Sequence, residues 1–287
     1  MKMNINWFPG HMKKTLDKLK QSIKEVDLIV ELVDSRIVDS SRNPILNDII
    51  GDKKRIILLN KSDLSEPTEN KRWKSYLKDE NTGVLMVNAL SGQGLKGFRP
   101  MAEDLLEDKF KRLEEKKIID KTIKFMIVGI PNVGKSTLIN TLAKRKGAKI
   151  GNKPGVTRHN QWIRTEYDMD LLDTPGVLWH KFEEDQGLNL AFTGAIKDEI
   201  LDKENLAYKL IEKLVSIDPK ILEDRYEVEI RPDEETLEIM DDIGRARGAL
   251  VRGGHIDYDK VATIVINEFR SGQLGRISLE TVDEVRG

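Results

Sequence analysis

Gly129-Ile130-Pro131-Asn132-Val133-Gly134-Lys135-Ser136 lies between the apolar run Thr122–Gly129 (TIKFMIVG) and a helical pattern over 135–145. The stretch fits G-x-x-x-x-G-K-[ST], and a strand before it and a helix after it are the context that this spacing requires. Its glycines let successive backbone N–H groups turn inward around phosphate oxygens. The helix N-terminus adds the positive end of its dipole. Lys135 is placed to reach the β and γ phosphates and the Ser136 hydroxyl to bind Mg²⁺, with Asn132, Val133, Gly134 and Thr137 completing the cradle.

Three further loops carry chemistry of the same kind. Asn60-Lys61-Ser62-Asp63 follows the run Arg55–Asn60 (RIILLN) and fits N-K-x-D. An Asp there accepts from guanine N1–H and N2–H₂, whereas adenine has neither donor, so discrimination can reach ~10⁴. Lys61 is expected against the base, and Asn60 is expected to tie this loop to the phosphate loop. Asp173-Thr174-Pro175-Gly176 fits D-x-x-G, with Asp173 on Mg²⁺ through water and the Gly176 N–H on the γ phosphate. Thr157, between these loops, is the candidate switch Thr that also meets Mg²⁺. Asn88-Ala89 follows Gly83–Ala89 (GVLMVNA), where a backbone N–H near Ala89 can meet guanine O6.

The order of these parts is informative. A regular small GTPase runs phosphate loop, switch Thr, D-x-x-G, N-K-x-D and then the Ser-Ala type loop. Here N-K-x-D and Asn88-Ala89 come first, so the chain reads as a circular permutation of the same parts. Relinking of that kind is tolerated because domain termini often lie close together.

Around the loops, Ile/Val/Leu-rich runs at Asp27–Asp34, Arg55–Asn60, Gly83–Ala89, Thr122–Gly129, Gln161–Tyr167 and Met169–Asp173 alternate with helical patterns over 12–25, 42–50, 68–79, 95–117 and 135–145. This predicts an α/β domain with a mainly parallel six-stranded sheet and helices on both faces. After residue 187 only helical patterns remain, over 188–199, 203–216, 219–225, 233–246 and 257–271. Charge changes at the same place. Residues 187–287 hold 14 basic and 22 acidic side chains, and the preceding part carries a net of about +7. The expected division is a permuted GTPase domain over 1–186, with a basic N-terminal helix, and a smaller all-helical RNA- or ribosome-binding domain over 187–287.

The chain of 287 residues has no cysteine, which excludes disulfide scaffolds, thiolate zinc sites and iron–sulfur clusters. Four histidines make a rich metal site a poor reading. With no apolar run of membrane-spanning length and no apolar leader, the expectation is a soluble protein of the bacterial cytoplasm.

On these motifs, and on Trp7-Phe8-Pro9-Gly10-His11-Met12, Glu31-Leu32-Val33-Asp34, Ser40-Ser41-Arg42-Asn43-Pro44 and Thr193-Gly194-Ala195-Ile196-Lys197-Asp198, the chain resembles the circularly permuted GTPases of the YlqF/YawG type over nearly its whole length. The resemblance implies an assembly factor for the large (50S) ribosomal subunit that binds rRNA in the GTP state and is stimulated by the subunit; nothing in the sequence suggests more than a monomer. A nucleotide-dependent RNA-binding module, for example one related to tRNA, with incidental hydrolysis is the alternative. Val38 and His180 stand where this family has proline.

Val177 follows Gly176, where Ras-like enzymes place a water-orienting Gln, and a valine cannot bond water. The resemblance points instead to His11 as the catalytic group beside Lys135 and Thr157; the plainer reading is a His that caps the helix after it. Asn132 resembles the loop Asn of GTPases that hold K⁺ beside the phosphates, or else merely suits the turn. Lys13, Lys14, Lys18, Lys20 and Lys24, with Arg245, Arg247, Arg252, Arg270 and Arg276, are candidate phosphate contacts for RNA.

Overall fold

A computed structural model describes residue 17 and residues 19–42, 44–118, 121–143, 162–172 and 184–286. His11, Thr157, Asp173, Gly176, Val177 and His180 lie outside the described residues.

Six strands form one sheet: β1 (Leu28–Asp34), β2 (Arg55–Asn60), β3 (Thr82–Met86), β4 (Ile123–Val128), β5 (Trp162–Arg164) and β6 (Met169–Leu172). Their order is β3-β2-β1-β4-β6-β5, parallel throughout except for β5 against β6. Every residue of β1 is buried, as a central strand covered on both faces requires. From β1 the chain builds outward to β2 and β3, and from β4 outward to β6 on the other side. The β1–β4 junction is therefore the point where the winding direction changes, and ligands of open α/β sheets bind at such points, beyond the carboxyl ends of the strands.

Helices α1 (Pro44–Ile50), α2 (Pro67–Leu77), α3 (Phe98–Leu105), α4 (Glu107–Glu115) and α5 (Lys135–Ala143) cover the sheet. The single helix expected over 95–117 is instead a 3-10 turn at Leu95–Gly97 followed by α3 and α4, broken at Leu106. Leu106 is buried, while α4 beyond it buries no residue fully and keeps only Phe110 against the core. A helical segment at 19–25 places Leu19 and Ile23, with Val26 just beyond it, against Ile29, Leu46 and Met126, and leaves Lys20 and Lys24 exposed. Each such buried aliphatic side chain contributes about 1.5–3 kcal/mol.

The helical region comprises α6 (Glu184–Phe192), α7 (Lys203–Ile217), α8 (Lys220–Tyr226), α9 (Thr236–Ala246), α10 (Tyr258–Ser271) and α11 (Val282–Arg286). Its centre is α7 on α10, through Leu206, Leu210 and Leu214 on one side and Val261, Val265 and Phe269 on the other. The helix expected over 188–199 starts earlier and stops at Phe192, where Gly194 takes a left-handed φ of 77°.

Packing crosses the compositional boundary near 187. The Ile277 N–H donates to the Leu64 carbonyl (2.9 Å) and that of Leu279 to Arg36 (2.8 Å), and Val282 joins Val33 and Trp73 in one apolar cluster. Buried Glu280 accepts from the N–H groups of Asp39 (2.7 Å) and Ser40 (3.1 Å), from Asn189 Nδ2 (2.9 Å) and from the Ser40 hydroxyl. Burial pushes its carboxyl above the ordinary Glu range, although these donors oppose that shift. Glu280→Ala would strand the buried donors, so a denaturant titration should show a loss of about 2–4 kcal/mol, far beyond that of an exposed Glu→Ala.

Candidate nucleotide site

The parallel strands β3, β2, β1, β4 and β6 end on one edge of the sheet, so the base loop, the Asn88-Ala89 loop and the phosphate loop open side by side there. Asn60, the last residue of β2, joins three of them. Its Nδ2 donates to the Val133 carbonyl in the phosphate loop (2.8 Å), and its Oδ1 accepts the Ala89 N–H (2.8 Å). Thr141 Oγ1, on α5 behind the phosphate loop, donates to the Ala89 carbonyl (2.7 Å). The tie expected from Asn60 to the phosphate loop is present. Because the Ala89 N–H already meets Asn60, a base oxygen arriving there would share that donor.

The phosphate loop needs its glycines for contact as well as conformation. Gly134 has φ 106°, and a Cβ there would lie 2.5 Å from Asn60 Nδ2. A Cβ on Gly129 would lie 2.6 Å from the Leu32 carbonyl of the neighbouring strand. Asn132 sits at φ 57°, and its Nδ2 donates to the Gly194 carbonyl of the helical region (2.7 Å), which leaves Oδ1 as the atom able to meet a cation. Ser136 is exposed on the first turn of α5, followed by Thr137; the N–H groups of that turn have no acceptor within the helix. Among the described residues, no cluster of three His, Cys, Asp or Glu side chains could hold a metal. A lone hydroxyl beside phosphate oxygens is nevertheless the donor set that Mg²⁺ takes in such loops.

Lys135 Nζ folds back onto the carbonyls of Gly129 (3.0 Å) and Ile130 (3.4 Å), and burial pushes its ammonium down to about 8. A cation held at that cost is stabilised by an arriving phosphate. In the base loop, Ser62 Oγ donates to the Val87 carbonyl (3.0 Å). Asp63 Oδ1 is buried with no hydrogen-bond partner among the described residues. An unpaired buried acceptor is costly, and guanine N1–H and N2–H₂ are donors of the kind that would satisfy it.

Lys61, at φ 57°, holds its ammonium 2.9 Å from Asp34 Oδ2 and donates to the Asn132 carbonyl (3.4 Å). Asp34 and Arg36 were not among the site residues expected from sequence. The signal that could have found Asp34 is its place, a carboxylate at the carboxyl end of a central parallel strand.

The arginines divide into two groups. Arg270 donates to the Ala191 and Phe192 carbonyls and pairs twice with Asp198 (2.8 and 2.9 Å). Arg247 donates to the Arg225 carbonyl (3.0 Å), and Arg245 pairs with Asp241 and Asp242. Arg270 and Arg247 serve internal packing and pairing, Arg245 is exposed but ion-paired, and Arg252 and Arg276 are exposed.

Two outcomes follow. Asp63→Asn replaces an acceptor with a donor, so competition binding should show GTP affinity falling by roughly a hundredfold or more and xanthosine nucleotide binding rising. In an NMR titration of isotope-labelled lysines, Lys135 should titrate at about 8 and move up when GDP binds because the phosphates favour the charged form.

A family model described as "50S ribosome-binding GTPase" matches residues 124–245, from the phosphate-loop strand into the helical region. The base loop at 60–63 precedes that match, as a permuted order demands. The chain is 44% identical to ribosome biogenesis GTPase A of Bacillus cereus, over 98% of this chain and 95% of that one. It is 34% identical to mitochondrial ribosome-associated GTPase 1 of Xenopus tropicalis, over 96% and 94%. Among solved structures it is similar to GDP-bound YlqF (TM-score 0.65, 26% identity) and GNP-bound YlqF from T. maritima (TM-score 0.62, 25% identity). These similarities cover 93% of this chain and 99% and 98% of those chains. The loops joined by Asn60, the permuted order and full-length relatives at 44% identity place the chain in the circularly permuted ribosome biogenesis GTPase A family, as a GTPase.

Proposed function

We propose that this GTPase assists assembly of the large ribosomal subunit, binding the precursor particle and its rRNA in the GTP state and leaving on hydrolysis. The observation that carries the nucleotide part is the unpaired buried Asp63 Oδ1 beside a phosphate loop locked in place by Asn60. The names of the full-length relatives support the ribosomal part. Of the candidate RNA contacts, Lys20, Lys24, Arg252 and Arg276 are exposed and able to face RNA phosphate. Residues 187–287 are the proposed RNA- and ribosome-binding part. The chain acts as a cytoplasmic monomer; among the described residues, no helix is long and apolar enough to cross a membrane.

In this reading GTP sits over the phosphate loop, between Lys135 and the base loop of Asn60, Lys61, Ser62 and Asp63, with Asn88 and Ala89 at its edge. Ser136, Thr157 and Asp173 are the residues that would hold Mg²⁺, which would neutralise phosphate charge, and the Gly176 N–H would meet the γ phosphate. Asn132 Oδ1 is the atom that can hold K⁺. His11 orients the attacking water, a role that Val177 cannot fill.

GTP turnover should rise severalfold or more when purified 50S subunits are added; no stimulation would sink the assembly role. His11→Ala should keep GTP affinity and lose the stimulated rate. Replacing K⁺ by Na⁺ should slow turnover if Asn132 holds the ion, and an equal rate in both salts removes that assignment.

A further inference from the structure

A second polar group lies at the carboxyl end of the strand beside the phosphate-loop strand. Asp34 closes β1 at the β1–β4 junction, with its side chain 3% exposed. Lys61 Nζ lies 2.9 Å from its Oδ2. Arg36 grips both carboxylate oxygens, Nη2 to Oδ2 at 2.9 Å and Nε to Oδ1 at 3.0 Å. Burial alone would push the Asp34 carboxyl up, but the Arg36 and Lys61 charges outweigh it and hold it well below the ordinary carboxylate range.

Arg36 is itself buried, and a charge so placed needs full pairing. Beyond Asp34 it reaches the carbonyls of Phe269 (3.5 Å) and Arg270 (3.4 Å), at the negative end of the α10 dipole, and it lies over the Phe269 ring (5.1 Å). Asp34 is therefore clamped. Lys61 is a quarter exposed, and its flexible stem has many rotamers to choose from. The clamped carboxylate selects one of them, with the ammonium between β1 and the Asn132 carbonyl of the phosphate loop. Binding then does not have to order this lysine.

We propose that Asp34 is a positioning residue for guanine nucleotides, fixing the Lys61 ammonium so that the lysine stem is already laid out for the base. The inference rests on the guanine-nucleotide reading of the site. Arg36, held by the end of α10, keeps the carboxylate in place.

The test is a double-mutant cycle on GDP affinity in the full chain, with Asp34→Asn and Lys61→Met made singly and together. Asp34→Asn should weaken GDP binding by about tenfold in the parent protein and add no further loss in the Lys61→Met background. A residue with only a structural role would cost the same in both backgrounds, and that result overturns the proposal, as does unchanged affinity in Asp34→Asn. If Asp34→Asn does not fold, Asp34→Glu, which keeps the charge and shifts it by one methylene, takes its place in the same cycle with the same two readings. The parent protein is the control. If it fails to prefer GDP over ADP, the guanine reading itself falls; if it does prefer GDP and the cycle is additive, only the role of Asp34 falls.

Discussion

Asn60 has one carboxamide, and both of its ends are used to hold backbone. One end takes a carbonyl of the phosphate loop and the other an N–H of the loop after β3. Two loops that are remote in sequence are thereby held at a fixed spacing by a single buried planar group. Much else follows from that constraint. Gly134 has no room for a side chain because the amide is there, and the loop after β3 is locked again from behind by Thr141. Phosphate and base contacts can then be set independently of each other, because the distance between them is not left to loop motion.

The permuted order has a physical counterpart in the sheet. A nucleotide site at a topological switch point needs neighbouring strand ends, not a particular chain order. Here β1, β2 and β3 bring the base loops and β4 brings the phosphate loop, and the parallel register of β1 with β4 aligns them. The connection through α3 and α4 carries the chain from one group to the other.

Most of the sheet was legible because buried parallel strands read as continuous Ile/Val/Leu runs, and the observed strands begin and end within a few residues of those runs. The motif loops were legible because their chemistry fixes residue types at fixed spacing. Helix ends were less so: the break at Leu106 and the stop at Gly194 depend on which side chains meet the core, a tertiary matter. Leu279, Glu280 and Val282, beyond the charge boundary near 187, contact residues that precede it, at a sequence distance no local pattern reports. Helix α11 was missed because five residues carry little periodic signal. Asp34 and Arg36 were missed as a pair because their significance lies in partners 27 residues onward (Lys61) and 233 and 234 residues onward (Phe269 and Arg270).

The contacts of Glu280 with the Asp39–Ser40 turn also bear on how the chain acquires its shape. They join positions separated by 241 and 240 residues. Contacts that distant carry a large loop-closure entropy and form late, after the segments between them have condensed. On the ribosome, β1 and β2 emerge long before Glu280, so the base-binding half must wait for its clasp until nearly all of this sequence has been translated. The base loop thus reaches its final tethering through Leu64 only when the helical region has been made.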